Sequence, residues 1–219
     1  MKHVVVDLEM NAIDRKYYQE RQYCKMEIIQ IGAIVLDEEY KEIGSFSTLV
    51  KPQYNSIIES AYQQLTGIST YMVKNAPIFV DALNAFFDWI KGLNDEISVY
   101  AWSENDLDQI YNESYLKEYE FSEYEENIIQ NWYDFQEEFE EKLNFNYQVS
   151  LADALYQVGI SFEGQQHNAL YDAKNTAHLL SLIRNDDQLD KTFRKIMEKQ
   201  EVVHPTLGDL FDFSQLDFD

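Results

Sequence analysis

The sequence predicts an α/β domain in which strands come first and then alternate with helices. Three observations carry this. Short β-branched and apolar runs with turn residues between them crowd the N-terminal fifty residues. Apolar residues from Phe79 onward fall at helical spacing. A late segment carries a stripe of small residues at helical spacing, suited to lying closely on a sheet.

His3 to Leu8 reads as the first strand, Glu27 to Asp37 as the second and Ile43 to Lys51 as the third. Asp37-Glu-Glu-Tyr40 suits a hairpin turn, and Pro52 ends the third strand because proline has no N–H for a ladder. Pro77 opens a helix whose Phe79, Leu83, Phe86, Ile90 and Leu93 share a face. Glu96 to Ala101 is a fourth strand, and a helix starts near Asn105. The acidic, tyrosine-rich stretch from Glu113 to Glu126 reads as a solvated face or an insertion. Ile129 to Tyr133 is a fifth, short strand; Asp134 caps a helix through Leu143, and Ser150 caps another that ends near Gly159. Asn168 to Ile183 is the clearest late helix, with Ala169, Ala173, Ala177 and Leu180 on one side, and Leu189 to Glu201 forms the last. The domain is read as residues 1–203, followed by an acidic-aromatic tail, 204–219.

With 219 residues, 45% of them hydrophobic, the chain can bury one sizeable core. Its longest apolar run, Ile28 to Leu36, is interrupted by Gln30 and too short to span a bilayer, and the N-terminus lacks a signal-peptide pattern. A soluble, cytoplasmic protein is expected. Cys24 is the only cysteine, which excludes an intrachain disulfide and a cysteine-rich zinc site and fits a reducing compartment. A formal net charge of −23 argues against capture of long duplex nucleic acid by counterion release. It does not exclude an enzyme that grips one strand end through a few local contacts.

Four acids and a histidine stand out. Asp7 and Glu9 project from the same face of the first strand, because strand side chains alternate, and two carboxylates there repel unless a cation joins them. Asp172 falls on the face of its helix that carries Ala169, Ala173 and Thr176, where a buried carboxylate needs a partner. His167 lies five residues earlier, just before that helix begins. Asp106 sits at the junction of the fourth strand and its helix, one turn before Ile110, whereas Asp108 is rotated toward solvent. Each has an ordinary structural alternative: a salt bridge for Asp172, a loop or capping role for His167, an N-cap for Asp106. Glu27 is read as structural, and Trp102, Phe86, Phe87 and Trp89 as core.

What decides is the combination: Asp-x-Glu on the first strand, an Asp after a later strand, and His167-Asn-Ala-Leu-Tyr-Asp172-Ala-Lys-Asn175 opening a late helix. This order resembles the DEDDh branch of the DnaQ-like 3′-to-5′ exonucleases. Glu27-Ile-Ile-Gln-Ile-Gly-Ala33, Leu65-Thr-Gly-Ile68, Trp102 through Asp106 and Phe162-Glu-Gly164 extend the resemblance toward the KapD-like and Eri-like subgroup, over roughly residues 3 to 183. Two departures are visible: Trp-Ser-Glu-Asn-Asp106 stands where the subgroup more often has Trp-Gly-Asn, and Met10 where many relatives have threonine. Neither removes an acid.

The resemblance implies an RNase H-like fold, a mixed five-stranded sheet flanked by helices, with two divalent cations, Mg²⁺ or Mn²⁺. Asp7, Glu9, Asp106 and Asp172 would hold them, His167 would act as general base, and the product would be a nucleoside 5′-monophosphate. The locally basic, aromatic segment Arg15-Lys16-Tyr17-Tyr-Gln-Glu-Arg21, together with Met10, is the expected contact for a single-stranded DNA or RNA 3′ end. Glycoside hydrolysis also uses paired carboxylates but needs neither the histidine nor four converging acids. The other reading is a catalytically weak acidic interaction module on the same fold that binds a nucleic-acid-processing partner. The tail is expected to pack back or stay disordered; its Gln215-Leu-Asp-Phe218 resembles peptides that bind bacterial sliding clamps, which makes a protein partner the alternative.

Overall fold

Val4, Val5 and Val6 carry two heavy atoms on Cβ and favour the extended backbone, and the central strand forms around them in the computed structural model, which describes residues 1–201. Strand β1 spans Lys2–Ala12, β2 Met26–Leu36 and β3 Glu42–Leu49. β1 pairs antiparallel with β2, from His3 opposite Leu36 to Ala12 opposite Met26, and β3 adds antiparallel to β2. β4 (Ile97–Ala101) runs parallel to β1, and β5 (Trp132–Asp134) parallel to β4. The result is a mixed five-stranded sheet in the order β3-β2-β1-β4-β5.

Helices cover both faces. They are α1 (Ser60–Thr66), α2 (Thr70–Val73), α3 (Phe79–Gly92), α4 (Asn105–Leu116), α5 (Glu123–Gln130), α6 (Phe135–Lys142), α7 (Leu151–Gln157), α8 (Ala169–Arg184) and α9 (Asp186–Glu201). The alternation of β1 divides the interior: Val4, Val6 and Leu8 pack with Phe79, Leu83, Phe86 and Ile90 of α3, while Val5 packs with Phe135, Phe139, Ala173, Ala177 and Leu180 from α6 and α8. α8 lies directly on the sheet because Gly32 of β2 has no side chain; a Cβ there would stand 2.2 Å from the carbonyl carbon of Ala169.

Several expectations are corrected. β1 continues four residues past Leu8, since β2 supplies partners as far as Ala12 across a bulge at Glu9/Met10, so Asp7 and Glu9 lie within the strand rather than at its end. The parallel neighbour β4 does stop early, at Ala101 opposite Val6. The stretch from Glu113 to Glu126 is no solvated insertion. Glu113 is fully buried, Tyr119 and Phe121 pack against the first core, and Ser122 opens α5 through a capping box with Glu125. That cap makes Ile128 and Ile129 buried residues of the helix, so the fifth strand starts later than expected, at Trp132. α1 and α2 are too short to show an apolar period and were not expected. α9 begins at Asp186, ahead of Leu189. The tail, 204–219, lies outside the described residues. Among the described residues no helix is long and apolar enough to cross a membrane.

Candidate active site

Asp7 and Glu9 stand on the face of β1 that looks toward α8, and their cross-strand neighbours in β2 are Gly32 and Gln30. Gly32 admits the helix. Gln30, 6% exposed, accepts a hydrogen bond from the Ala169 N–H at 3.1 Å, satisfying one of the donors that every helix start leaves free. Asn168 caps the same turn through the Leu170 N–H at 3.2 Å. Asp172, in that first turn, is thereby delivered onto the acids of β1. Its Oδ2 accepts the His167 N–H at 3.1 Å, while its Oδ1 is buried with no partner. His167 is exposed at φ +60°, a left-handed conformation uncommon for a residue with a side chain. Glu9, His167 and Asp172 each offer a ligand atom, all within 4.8 Å of one another.

Asp106 arrives from the other edge. Because β4 ends opposite Val6, the Leu8 N–H has no strand partner, and it donates instead to Asp106 Oδ1 at 3.1 Å. Asp106 is 6% exposed, whereas Asp108 on the same helix faces solvent. Asp134 holds the start of this helix by accepting the Glu104 N–H at 3.3 Å while it caps α6 through the Glu137 N–H.

All four carboxylates resist ionisation. Burial raises Asp7 well above the usual carboxylate range, and Asp106, Asp172 and Glu9 push it further. Burial raises Glu9 to about 8, with Asp172 and Asp106 adding to it. Asp106 is raised to about 7 by burial, against the pull of the Leu8 N–H, and Asp172 to about 6 by burial, against that of the His167 N–H. Bringing negative groups together out of water without a counter-charge is costly, and a divalent cation inverts the sign of every one of these interactions. Hard oxygen donors, mutual repulsion and the orphaned Asp172 Oδ1 fit such a cation.

The other predicted residues divide. Met10 is half-buried and packs against the first core. Arg15 is exposed; Lys16 pairs with Asp14 at 3.2 Å and lies over the Tyr17 ring at 5.0 Å. Arg21 is turned inward, donating to the carbonyl of Ile13 in its own loop. Glu27 is structural: wholly buried, it accepts the N–H groups of Gln53, Tyr54 and Asn55 and pairs at 2.9 Å with Lys117, which also holds Glu113 at 2.6 Å. Gln30 and Gly32 were not assigned a role from sequence. The signal for Gln30 was present, as a lone polar residue in the longest apolar run.

The family model for exonucleases matches residues 4–180. The protein named ERI1 exoribonuclease 2 from Danio rerio is 27% identical over 204 residues, covering 84% of this chain and 35% of its own length, and its Xenopus laevis counterpart is 26% identical over 92% of this chain and 31% of its own. The chain thus spans about a third of these relatives. Among solved structures, the nuclease domain of 3′hExo, a DEDDh family member bound to rAMP, superposes with a TM-score of 0.72 at 18% identity, covering 84% of this chain and 92% of that one. E. coli exonuclease I in complex with a dT13 oligonucleotide superposes at 0.63 with 15% identity, over 94% of this chain and 46% of that one. The family match over residues 4–180, with acids on β1, α4 and α8 and a histidine before α8, makes this chain a member of the exonuclease family.

Proposed function

We propose that residues 1–203 form a domain that hydrolyses the 3′-terminal phosphodiester of single-stranded or short nucleic acid and releases nucleoside 5′-monophosphates. Asp7, Glu9, Asp106 and Asp172 hold two divalent cations, Mg²⁺ or Mn²⁺, and His167 is the general base. The observation that carries the reading is the convergence of four carboxylates, all raised by burial and most by one another, around a buried and unpaired Asp172 Oδ1.

Cations held by these acids would supply Lewis acidity toward a bound water and charge neutralisation toward phosphoryl oxygens. The chain supplies the rest. Asp7 and Glu9 are fixed by their strand and Asp172 by its helix, so the ligand oxygens need no rearrangement. Asp106 keeps one oxygen on the Leu8 N–H, which orients the other. His167, exposed beside the acids, takes the proton of the attacking water at a ring nitrogen. Arg15, Lys16 and Tyr17 receive the strand, with Arg21 bracing their loop through Ile13.

RNA and DNA ends are both substrates to test, since similar proteins are named exoribonucleases and a structural neighbour was solved with a DNA oligonucleotide. The purified protein, given Mn²⁺ and 5′-labelled single-stranded oligomers of each kind, is expected to shorten them from the 3′ end to mononucleotide steps. EDTA should abolish the activity, and Asp172→Asn and His167→Ala should each lower it about 100-fold or more. Full activity in a folded Asp172→Asn variant overturns the assignment.

A further inference from the structure

His167 sits at the end of a loop that would be free to move if only its last residue were held. The segment 158–168 connects α7 to α8, and its residues Glu163, Gly164, Gln165 and Gln166 are at the surface. One residue of α8 fastens it. Asn175, wholly buried, accepts the Glu163 N–H with Oδ1 at 2.9 Å, donates Nδ2 back to the Glu163 carbonyl at 2.9 Å, and donates to the Tyr171 carbonyl at 2.8 Å. The amide has one satisfactory orientation: flipped, its NH₂ would face an N–H and its oxygen two carbonyls. Around this clamp the loop follows the helix closely. Gly164, at φ +81°, lies so near Tyr171 that a Cβ would stand 2.3 Å from its ring, and the exposed ends of Lys174 and Glu163 pair at 2.6 Å.

The far end of the same loop carries the left-handed His167 and its N–H bond to Asp172. Two points on α8, three residues apart, therefore grip the loop at Glu163 and His167 and set the path between them. We propose that Asn175 is a positioning residue for hydrolysis, acting through the backbone of Glu163 to hold the His167 imidazole over the acids. The inference rests on the reading of His167 as the general base.

The test is a double-mutant cycle measured by single turnover with Mn²⁺ and a labelled single-stranded oligomer, alongside KM and melting midpoints. Asn175→Ala is expected to lower kcat about 10- to 100-fold with KM unchanged, since misplacement by about an ångström has that effect. In a His167→Ala background the same substitution should change the rate less than twofold, because the group it positions is gone. Should Asn175→Ala fail to fold, Asn175→Asp carries the cycle; it keeps the shape and the acceptor for Glu163 but loses both donated bonds. A loss that multiplies with that of His167→Ala, or a rise in KM at constant kcat, overturns the positioning role. A fully active His167→Ala variant removes instead the base assignment beneath it.

Discussion

Glu9, Asp106 and Asp172 are raised to about 8, 7 and 6, and this has a consequence for stability as well as chemistry. In the unfolded chain such groups titrate near 4. Between that value and their folded values the native state binds more protons than the unfolded one, so metal-free stability falls as pH rises. The stabilisation is fully present below about pH 4 and is lost as pH passes through the folded values, from about 6 to 8. With the cation bound, the ionised form is the stable one and the trend reverses. Melting midpoints in EDTA should therefore drop from pH 5.5 to pH 8.5, while those in Mn²⁺ should hold or rise, and Glu9→Gln should flatten the EDTA trend. A metal-free midpoint that climbs across that window would contradict the burial argument.

At the scale of elements, the site depends on α8 touching the sheet at Gly32. A methyl group there would meet the backbone of Ala169 rather than the end of a flexible side chain, so the helix start itself must retreat. Gly32→Ala is expected to cost about 1–3 kcal/mol of stability by overpacking and to lower activity about 100-fold as Asp172 and His167 withdraw from Asp7 and Glu9. Denaturant unfolding and the oligomer assay check the two parts separately. Legibility from sequence followed a physical boundary here. Strand alternation placed Asp7 and Glu9 on one face, and the spacing from His167 to Asp172 placed both at a helix start, because these are local properties of the chain. The approach at Gly32 depends on the register of β2 against β1, and the extra length of β1 on a partner strand, neither of which is local. Glu113 misled in part for the same reason: its neighbours are acidic and aromatic, and although Lys117 one turn on is a local partner, the Ile28 N–H it accepts and the Glu27 that shares that lysine are brought from β2 by the fold.

At the scale of the whole molecule, a formal net charge of −23 means that the surface as a whole repels a polyanion, so attraction must come from local groups such as those of the loop adjoining the site. Of the basic groups after β1, Arg21 is bonded to Ile13 and Lys16 to Asp14, so few cations are free to reach phosphates without giving something up. Binding to single strands that neutralises Z phosphates weakens with salt at a log–log slope of about −0.7Z. If Arg15 and Lys16 supply the contacts together with Lys25, which is exposed at the far end of that loop where its carbonyl accepts the Ile13 N–H, Z is about 3 and the slope is about −2. Repulsion from the rest of the surface, which is longest-ranged at low salt, flattens it further. KM for a single-stranded oligomer, measured at fixed Mn²⁺ from 25 to 250 mM KCl, should therefore rise by about 100-fold or less. Arg15→Ala combined with Lys16→Ala should make the slope shallower by about 1.4. A slope near −5 would mean a broad basic track and would move the substrate grip away from the loop after β1.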